Sequence, residues 1–305
     1  MTKHFLTLSD LGADGLQKVL EDAAKLKQGR GTYGHKRLEG QSVVILLEKA
    51  STRTRLSFEI GIAELGAHPV CLIAKDTQLG RGEPLSDTAR MLSGYAHAVV
   101  YRTFGHERVQ ELADNASIPV INGLSDSYHP CQLLADLQTI QEFSPGDLAT
   151  KRVAWVGDGN NMAHSWILAA GLTGLDLNIA APAGYQPDPA ILAMGRALGG
   201  GEIRVTHDPA EACEGVDVVT TDVWASMGQE AESKARAEAF SGFEVDSELM
   251  AKAKSDSIFL HCLPAHRGEE VSAEVIDGPQ SRVWAEAENR LHAQKALLLA
   301  LCSNS

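Results

Sequence analysis

Residues 51–55 read Ser-Thr-Arg-Thr-Arg and follow a strand-length apolar run at 42–47. Apolar positions with helical spacing begin at Leu56, so this stretch occupies a strand-to-helix turn with Ser51 or Thr52 as N-cap. A helix start presents free backbone N–H groups and the positive end of the dipole, which makes arginines there unfavourable unless an anion joins them. With an anion, the amides, the hydroxyls and a guanidinium fork of Arg53 form a phosphate cradle. The same residues also fit an ordinary capped helix with solvated arginines. They do not fit a Walker loop, which needs a Gly-rich run ending in Lys-Ser/Thr. Arg102 closes the apolar run 98–102 and brings a second strand-end guanidinium. His129-Pro130-Cys131-Gln132 follows the run 119–122 and opens a helix, with Pro130 suited to the first helical position. A neutral His129 can polarise a carbonyl and Gln132 can hold an amide; a capped helix with a structural histidine is the plainer alternative.

A second group of stretches lies further along. Val156-Gly157-Asp158-Gly159-Asn160-Asn161-Met162 follows a strand and opens a helix. It is not a dinucleotide fingerprint, because Met162 stands at the third glycine position and the next strand ends in Ala181-Pro182 rather than an acid. Asn161 instead offers a polar side chain at a strand end. Asp222, followed by Ser226-Met227-Gly228, could hold an ammonium and an amino-acid backbone, or be an Asx-capped turn. His261-Cys262-Leu263-Pro264 also follows a strand, and Leu263-Pro264 is a candidate cis bond. Histidines and a cysteine suggest metal, but adjacent His-Cys pairs chelate one ion poorly and no Cys-x-x-Cys or His-x-x-x-His occurs, so no metal is expected.

The elements that must position these residues alternate. Strand-like runs at 43–47, 69–73, 98–102 and 119–122 are separated by helical stretches, after an amphipathic opening helix through Leu16, Val19, Leu20, Ala23 and Leu26. A long helical pattern at 132–143 ends in Ser144-Pro145-Gly146-Asp147, a boundary signal. Alternation then resumes with runs at 153–156, 177–180, 203–206, 216–220 and 258–260, and residues 289–301 form a closing helix. The pattern predicts an α/β chain of two doubly wound parallel-sheet domains joined by long helices, with active groups at the carboxyl ends of the strands. The expected domains are residues 1–143 and 144–287, with the helix of 288–305 packing back on the first. Residues 228–242 are polar and show no packing face, which suggests a mobile loop. With 305 residues, 44% hydrophobic and 22% charged, the chain is a soluble globular protein of two ordinary domains. A net charge of −13 argues against nucleic-acid and anionic-membrane partners, and no run reaches membrane-spanning or signal-peptide character. Five scattered cysteines read as reduced thiols, hence a cytoplasmic location.

Taken together, Ser51–Thr54, His129-Pro130-Cys131-Gln132, Asp222 with Ser226-Met227-Gly228, and His261-Cys262-Leu263-Pro264 resemble the aspartate/ornithine carbamoyltransferase family from end to end. The first two motifs are common to the family, and the last two match its ornithine branch. The resemblance implies an active site in the cleft between the domains and transfer of the carbamoyl group of carbamoyl phosphate to the δ-amine of L-ornithine, giving L-citrulline. The first domain would bind carbamoyl phosphate and the second ornithine. It implies that Ser51, Thr52, Arg53, Thr54 and Arg102 hold the phosphate, with Gln78 reaching in from a neighbouring subunit. Arg102 and His129 would polarise the carbamoyl carbonyl; Gln132 and the Leu263 carbonyl would hold its NH2; Cys262 and Arg290 complete the carbamoyl-phosphate site. Asn161, Asp222, Ser226 and Met227 would hold ornithine, with Cys262 beside the amine. Arg102, His129 and Cys262 are the expected catalytic residues. No metal or organic cofactor is implied, and a homotrimer is, with or without further assembly. The alternatives are a relative acting on putrescine or aspartate, and a non-catalytic anion- or amino-acid-binding module on the same scaffold.

Overall fold

Each apolar run expected to be a strand is one. The structure is a computed structural model that describes residues 4–32, 35–225 and 233–303. Contacts divide the chain into two units, Met1–Gln138 with Glu288–Ser305, and Thr139–Ala287, the division falling inside a helix.

In the first unit, β1 (Ser42–Leu47), β2 (His68–Ile73), β3 (Ala98–Arg102) and β4 (Val120–Leu124) form a parallel sheet in the order β2-β1-β3-β4. Helix α1 (Gly12–Gln28) precedes them, and α2 (Thr52–Glu64), α3 (Leu85–Tyr95), α4 (His106–Asn115) and α5 (Pro130–Phe143) intervene or follow. Val43 to Leu47 are all buried, which explains why β1 reads as an unbroken apolar run rather than an alternating one. The chain leaves β1 towards β2 on one side and returns to β3 on the other. The carboxyl ends of β1 and β3 are therefore a topological switch point, where open α/β sheets bind ligands. The Ser51 turn follows β1, and Arg102 ends β3.

In the second unit, β5 (Arg152–Val156), β6 (Asp176–Ala180), β7 (Ile203–Thr206), β8 (Val218–Thr221) and β9 (Ile258–His261) form a parallel sheet in the order β7-β6-β5-β8-β9. Its helices are α6 (Asn161–Thr173), α7 (Pro189–Ala197), α8 (Pro209–Cys213), α9 (Ser233–Ala239), α10 (Ser247–Met250) and α11 (Ala273–Ile276). The switch point here lies between β5 and β8, and Asp222 follows β8 directly. Of the stretch expected to be a loop without a packing face, residues 228–232 lie outside the described residues. The remainder corrects the expectation: it opens with α9, and Arg236 and Phe240 are buried. One half of that face is a charged side chain, which hydrophobic patterning does not register. No helix among the described residues is long and apolar enough to cross a membrane. No disulfide joins any of the five cysteines.

The last helix, α12 (Val283–Cys302), carries its own buried polar groups. Lys295 Nζ donates to Glu64 Oε2 at 2.6 Å, and Lys27 Nζ donates to Asn289 Oδ1 at 2.8 Å. His292, fully buried on the same helix, has no hydrogen-bond partner for either ring nitrogen among the described residues. Glu288 is 3.8 Å away. Burial, reinforced by the charge of Lys295 and opposed by Glu288, lowers its pKa to about 4. The unfolded chain, titrating near 6.5, then binds a proton that the folded chain refuses. Stability from this residue is intact above the unfolded value and is lost as pH falls towards the folded one, by about 3 kcal/mol across the window. Urea unfolding of wild type and His292→Gln at pH 7 and pH 5 checks this. The wild type should lose about 2 kcal/mol more than the variant between the two pH values, and equal losses would refute it.

Candidate functional site

Ser51, in extended conformation, is the N-cap of α2: its Oγ accepts from the Thr54 N–H at 3.2 Å. Thr52 is the first helical residue and is exposed, while Arg53 is half-buried. The Arg53 side chain has no hydrogen bond or ion pair among the described residues, although its charge is felt at His129. Thr54 is buried, and its Oγ1 accepts from Arg102 Nη1 at 3.2 Å. Arg102 owes its direction to an irregularity that the sequence does not announce. The β3–β4 register runs Tyr101↔Asn122 and then Arg102↔Leu124, so Gly123 bulges out of the ladder. A bulge at a strand end re-aims the side chain opposite it.

His129 precedes α5 and is buried. Burial holds its imidazole well below the ordinary histidine range, and the positive charges of Arg290, Arg102 and Arg53 depress it further. It is therefore neutral at physiological pH and can donate a hydrogen bond to a carbonyl without carrying charge. Gln132, on the first turn of α5, is fixed at both ends of its amide. Its oxygen accepts from Arg290 Nη1 at 2.6 Å, and its nitrogen donates to Asp136 Oδ1 at 2.8 Å. Asp136 lies one helical turn beyond Gln132, an i, i+4 spacing that is the sequence signal for this pair. The Arg290 fork also meets Gln294, whose amide, with its oxygen turned to the guanidinium, accepts from Nη2 at 2.9 Å and Nε at 3.1 Å. Cys131 is inert: burial pushes its thiol up to about 12, and it donates to the Asn122 carbonyl at 3.4 Å.

Ser51, Thr52, Arg53, Thr54, Arg102, His129, Gln132 and Arg290 thus belong to one unit, and contacts or fields tie most of them together. Gln78 is not among those contacts. It is exposed in the turn after β2, where its carbonyl accepts from the Arg81 and Glu83 N–H groups.

The second unit gathers Asp222, Cys262 and Leu263 with Asn161 at the start of α6. Asp222 is buried. Its Oδ1 accepts from Cys262 Sγ at 3.1 Å and from the Val223 N–H at 2.8 Å; its Oδ2 accepts from Asn160 Nδ2 at 3.3 Å. Burial pushes the carboxyl above the ordinary range, against the pull of His261 and the Cys262 and Val223 bonds. Asn160 also caps α6, its Oδ1 accepting from the Met162 and Ala163 N–H groups. Sequence reasoning points to its neighbour Asn161 instead, because nothing in the local pattern separates the two asparagines. Gly157, at φ 139°, lets this turn approach β8, where a Cβ would lie 3.3 Å from Thr221 Oγ1. Arg236 was also missed. Its Nη1 donates to Asp158 Oδ2 and to the Trp224 carbonyl, each at 2.8 Å, which ties the turn after β5 to the one after β8. Ser226 and Met227 lie outside the described residues.

Leu263 has φ 57° and joins Pro264 by a cis peptide bond, as its sequence suggested. The Leu263 N–H donates to His261 Nδ1 at 2.9 Å, which leaves the ring proton on Nε2, and Nε2–H donates to Glu270 Oε1 at 3.1 Å. Asp222, His261 and Cys262 bring donor atoms within 4.8 Å of one another, a geometry that raises the question of metal. Both imidazole nitrogens are already engaged, so His261 has no lone pair to give, and two donors make a poor site.

Two domain models of one family match successive halves of the chain. Residues 3–142 match the carbamoyl-P binding domain of aspartate/ornithine carbamoyltransferase, and residues 149–301 match its Asp/Orn binding domain. The ornithine carbamoyltransferase of Halorhodospira halophila is 57% identical over 297 residues, covering 97% of each chain. That of Acidothermus cellulolyticus is 54% identical, covering 98% of this chain and 96% of its own. Among solved structures, ornithine carbamoyltransferase from Pyrococcus furiosus is 47% identical with a TM-score of 0.94, covering 99% of this chain and 98% of its own. The anabolic enzyme from Campylobacter jejuni, 40% identical, also gives 0.94 over 100% of both chains. With both domains matched and such relatives spanning nearly its whole length, the chain belongs to the aspartate/ornithine carbamoyltransferase family.

Proposed function

We propose that this chain is an ornithine carbamoyltransferase, converting carbamoyl phosphate and L-ornithine to L-citrulline and phosphate in arginine metabolism. The observation that carries the reading is the cluster of Arg53, Arg102 and Arg290 whose charges converge on a buried, neutral His129. That combination suits a phosphorylated carbonyl compound: guanidinium groups for the phosphate, and a neutral donor for a carbonyl oxygen that becomes an oxyanion. Ser51, Thr52, Arg53, Thr54 and Arg102 bind the phosphate. Arg102 and His129 polarise the carbonyl, while Gln132 and the Leu263 carbonyl hold the NH2 group. Asp222 pairs with the α-ammonium of ornithine, with Asn161, Ser226 and Met227 completing the amino-acid site and Cys262 beside the δ-amine.

The δ-ammonium first loses a proton to solvent. The free amine attacks the carbamoyl carbon, forming the C–N bond and a tetrahedral oxyanion; collapse breaks the bond to the phosphate oxygen. The second amine proton leaves with the phosphate. Positioning and electrostatic stabilisation are sufficient for this chemistry, so no cofactor is required. Aspartate is disfavoured because Asp222 would repel its second carboxylate, and putrescine because it lacks the α-groups that Asp222 and Ser226 address. A colour assay for citrulline from the two substrates, with aspartate and putrescine as controls, tests the function. Product from putrescine or aspartate but not from ornithine would point to the relative acting on those amines, and no product from any of the three would leave the binding-module alternative.

The same reading makes the protein a cytoplasmic homotrimer in which Gln78 serves a neighbour. Two features support an oligomer. β2 is a sheet edge whose residues from Pro69 to Ile73 are only half-buried, and α2 exposes Leu56 and Ile60 at 49% and 44%. Partly covered apolar edges of this kind are usually closed by another chain. Gln78→Ala and Arg53→Ala subunits, each nearly inactive alone, should regain activity when refolded together, because about one site in four in a cyclic trimer then has both residues intact. Confirmed mixed trimers with no gain would count against the shared site.

A further inference from the structure

Glu48 stands three residues before Ser51, where an anion beside a phosphate-binding turn is electrostatically out of place unless its charge is used locally. Its backbone N–H donates to the Arg102 carbonyl at 2.9 Å, extending the β1–β3 ladder one step beyond the strands. Its carboxylate accepts from Arg108 of α4 through Nη2 at 2.6 Å and Nε at 3.2 Å, and from the Thr103 hydroxyl. Thr103 is fully buried, and its N–H donates to the Leu124 carbonyl at 3.0 Å. The ends of β1, β3 and β4 and the start of α4 are thereby joined through one side chain, itself 13% exposed. Burial pushes the Glu48 carboxyl up, but the bonds from Arg108 and Thr103 outweigh it and leave it below the ordinary range, hence ionised.

We propose that Glu48 is a positioning residue for the carbamoyl-phosphate site: it fixes the turn carrying Ser51 to Thr54 against the strand end carrying Arg102. The proposal rests on the carbamoyltransferase reading above. Arg108 neutralises the anion, so the clamp adds no net repulsion to a phosphate. Misplacing a strand-end guanidinium by an ångström is enough to weaken a bidentate phosphate contact.

The test is a steady-state comparison of Glu48→Gln, Arg108→Met and the double variant, each checked for fold by circular dichroism and thermal melting. Glu48→Gln keeps the shape and removes the charge. Its KM for carbamoyl phosphate should rise about tenfold or more while KM for ornithine stays within about twofold. Arg108→Met should move the same parameter by about threefold, since the Thr103 bond remains, and the double variant should be no worse than Glu48→Gln. The Kd of inorganic phosphate, measured by calorimetry, should rise in parallel. An unchanged carbamoyl-phosphate KM in folded Glu48→Gln, or equal losses for both substrates, overturns the proposal. If Glu48→Gln does not fold, an unchanged KM in Arg108→Met, whose side chain is 37% exposed, overturns it instead. A wild-type protein that makes no citrulline would remove the functional reading, and the phosphate calorimetry would still decide the role of Glu48.

Discussion

Asp222→Asn is expected to lower kcat/KM for ornithine by about 10²- to 10³-fold, equivalent to about 3–4 kcal/mol. Asp222 is 8% exposed and already positioned by Cys262, Val223 and Asn160. An ammonium brought to this carboxylate is desolvated and must be compensated there; an amide of the same shape leaves it unpaired. Carbamoyl-phosphate affinity should change little, because Ser51 to Thr54 and Arg102, proposed for the phosphate, belong to the other unit. Putrescine has no α-ammonium, so its poor turnover should barely change, and the gap between the two amines should close in the variant. The pH response gives an independent check. With its carboxyl raised by burial, Asp222 takes up a proton at a higher pH than an ordinary aspartate. The wild-type KM for ornithine should therefore begin to climb at a higher pH than an ordinary aspartate would cause, and the Asn variant should lack that climb. Wild-type putrescine turnover comparable to that of ornithine would remove the proposed role of Asp222.

Arg53→Ala is expected to weaken carbamoyl-phosphate binding by about 10²-fold, from loss of a charge-assisted fork worth roughly 2–3 kcal/mol. Arg53 is suited to such a test because its side chain has no hydrogen-bond or ion-pair partner among the described residues, so truncation breaks no such bond among them. It lies in the first turn of α2, where a positive charge opposes the helix dipole and alanine is the better helix former. The melting temperature should hold or rise while affinity falls, which separates binding from folding. Arg53→Lys should recover only part of the loss, since a point charge cannot reproduce the bidentate geometry. Calorimetric affinity equal to wild type would sink the assignment of the Ser51 turn to phosphate.

The local features of this protein were legible in its residues. Ser51 caps α2 because a hydroxyl between a buried apolar run and a helical repeat has few other uses, and β1 reads as unbroken Val, Ile and Leu because both faces of the sheet are covered. The positions of Arg102, His129, Asp222 and Cys262 at strand ends followed from the same alternation. What only the tertiary structure decided is how those side chains are held. The Gly123 bulge re-aims Arg102, and Glu48 meets Arg108 across 60 residues. Arg236 reaches Asp158 across 78, and Glu270 sets the tautomer of His261, whose ring then takes the Leu263 N–H. None of these leaves a periodic trace, because each joins polar residues brought together by sheet register and by the docking of separate elements. Hydrophobic spacing along a chain records which face is buried; it does not record which buried charge meets which partner.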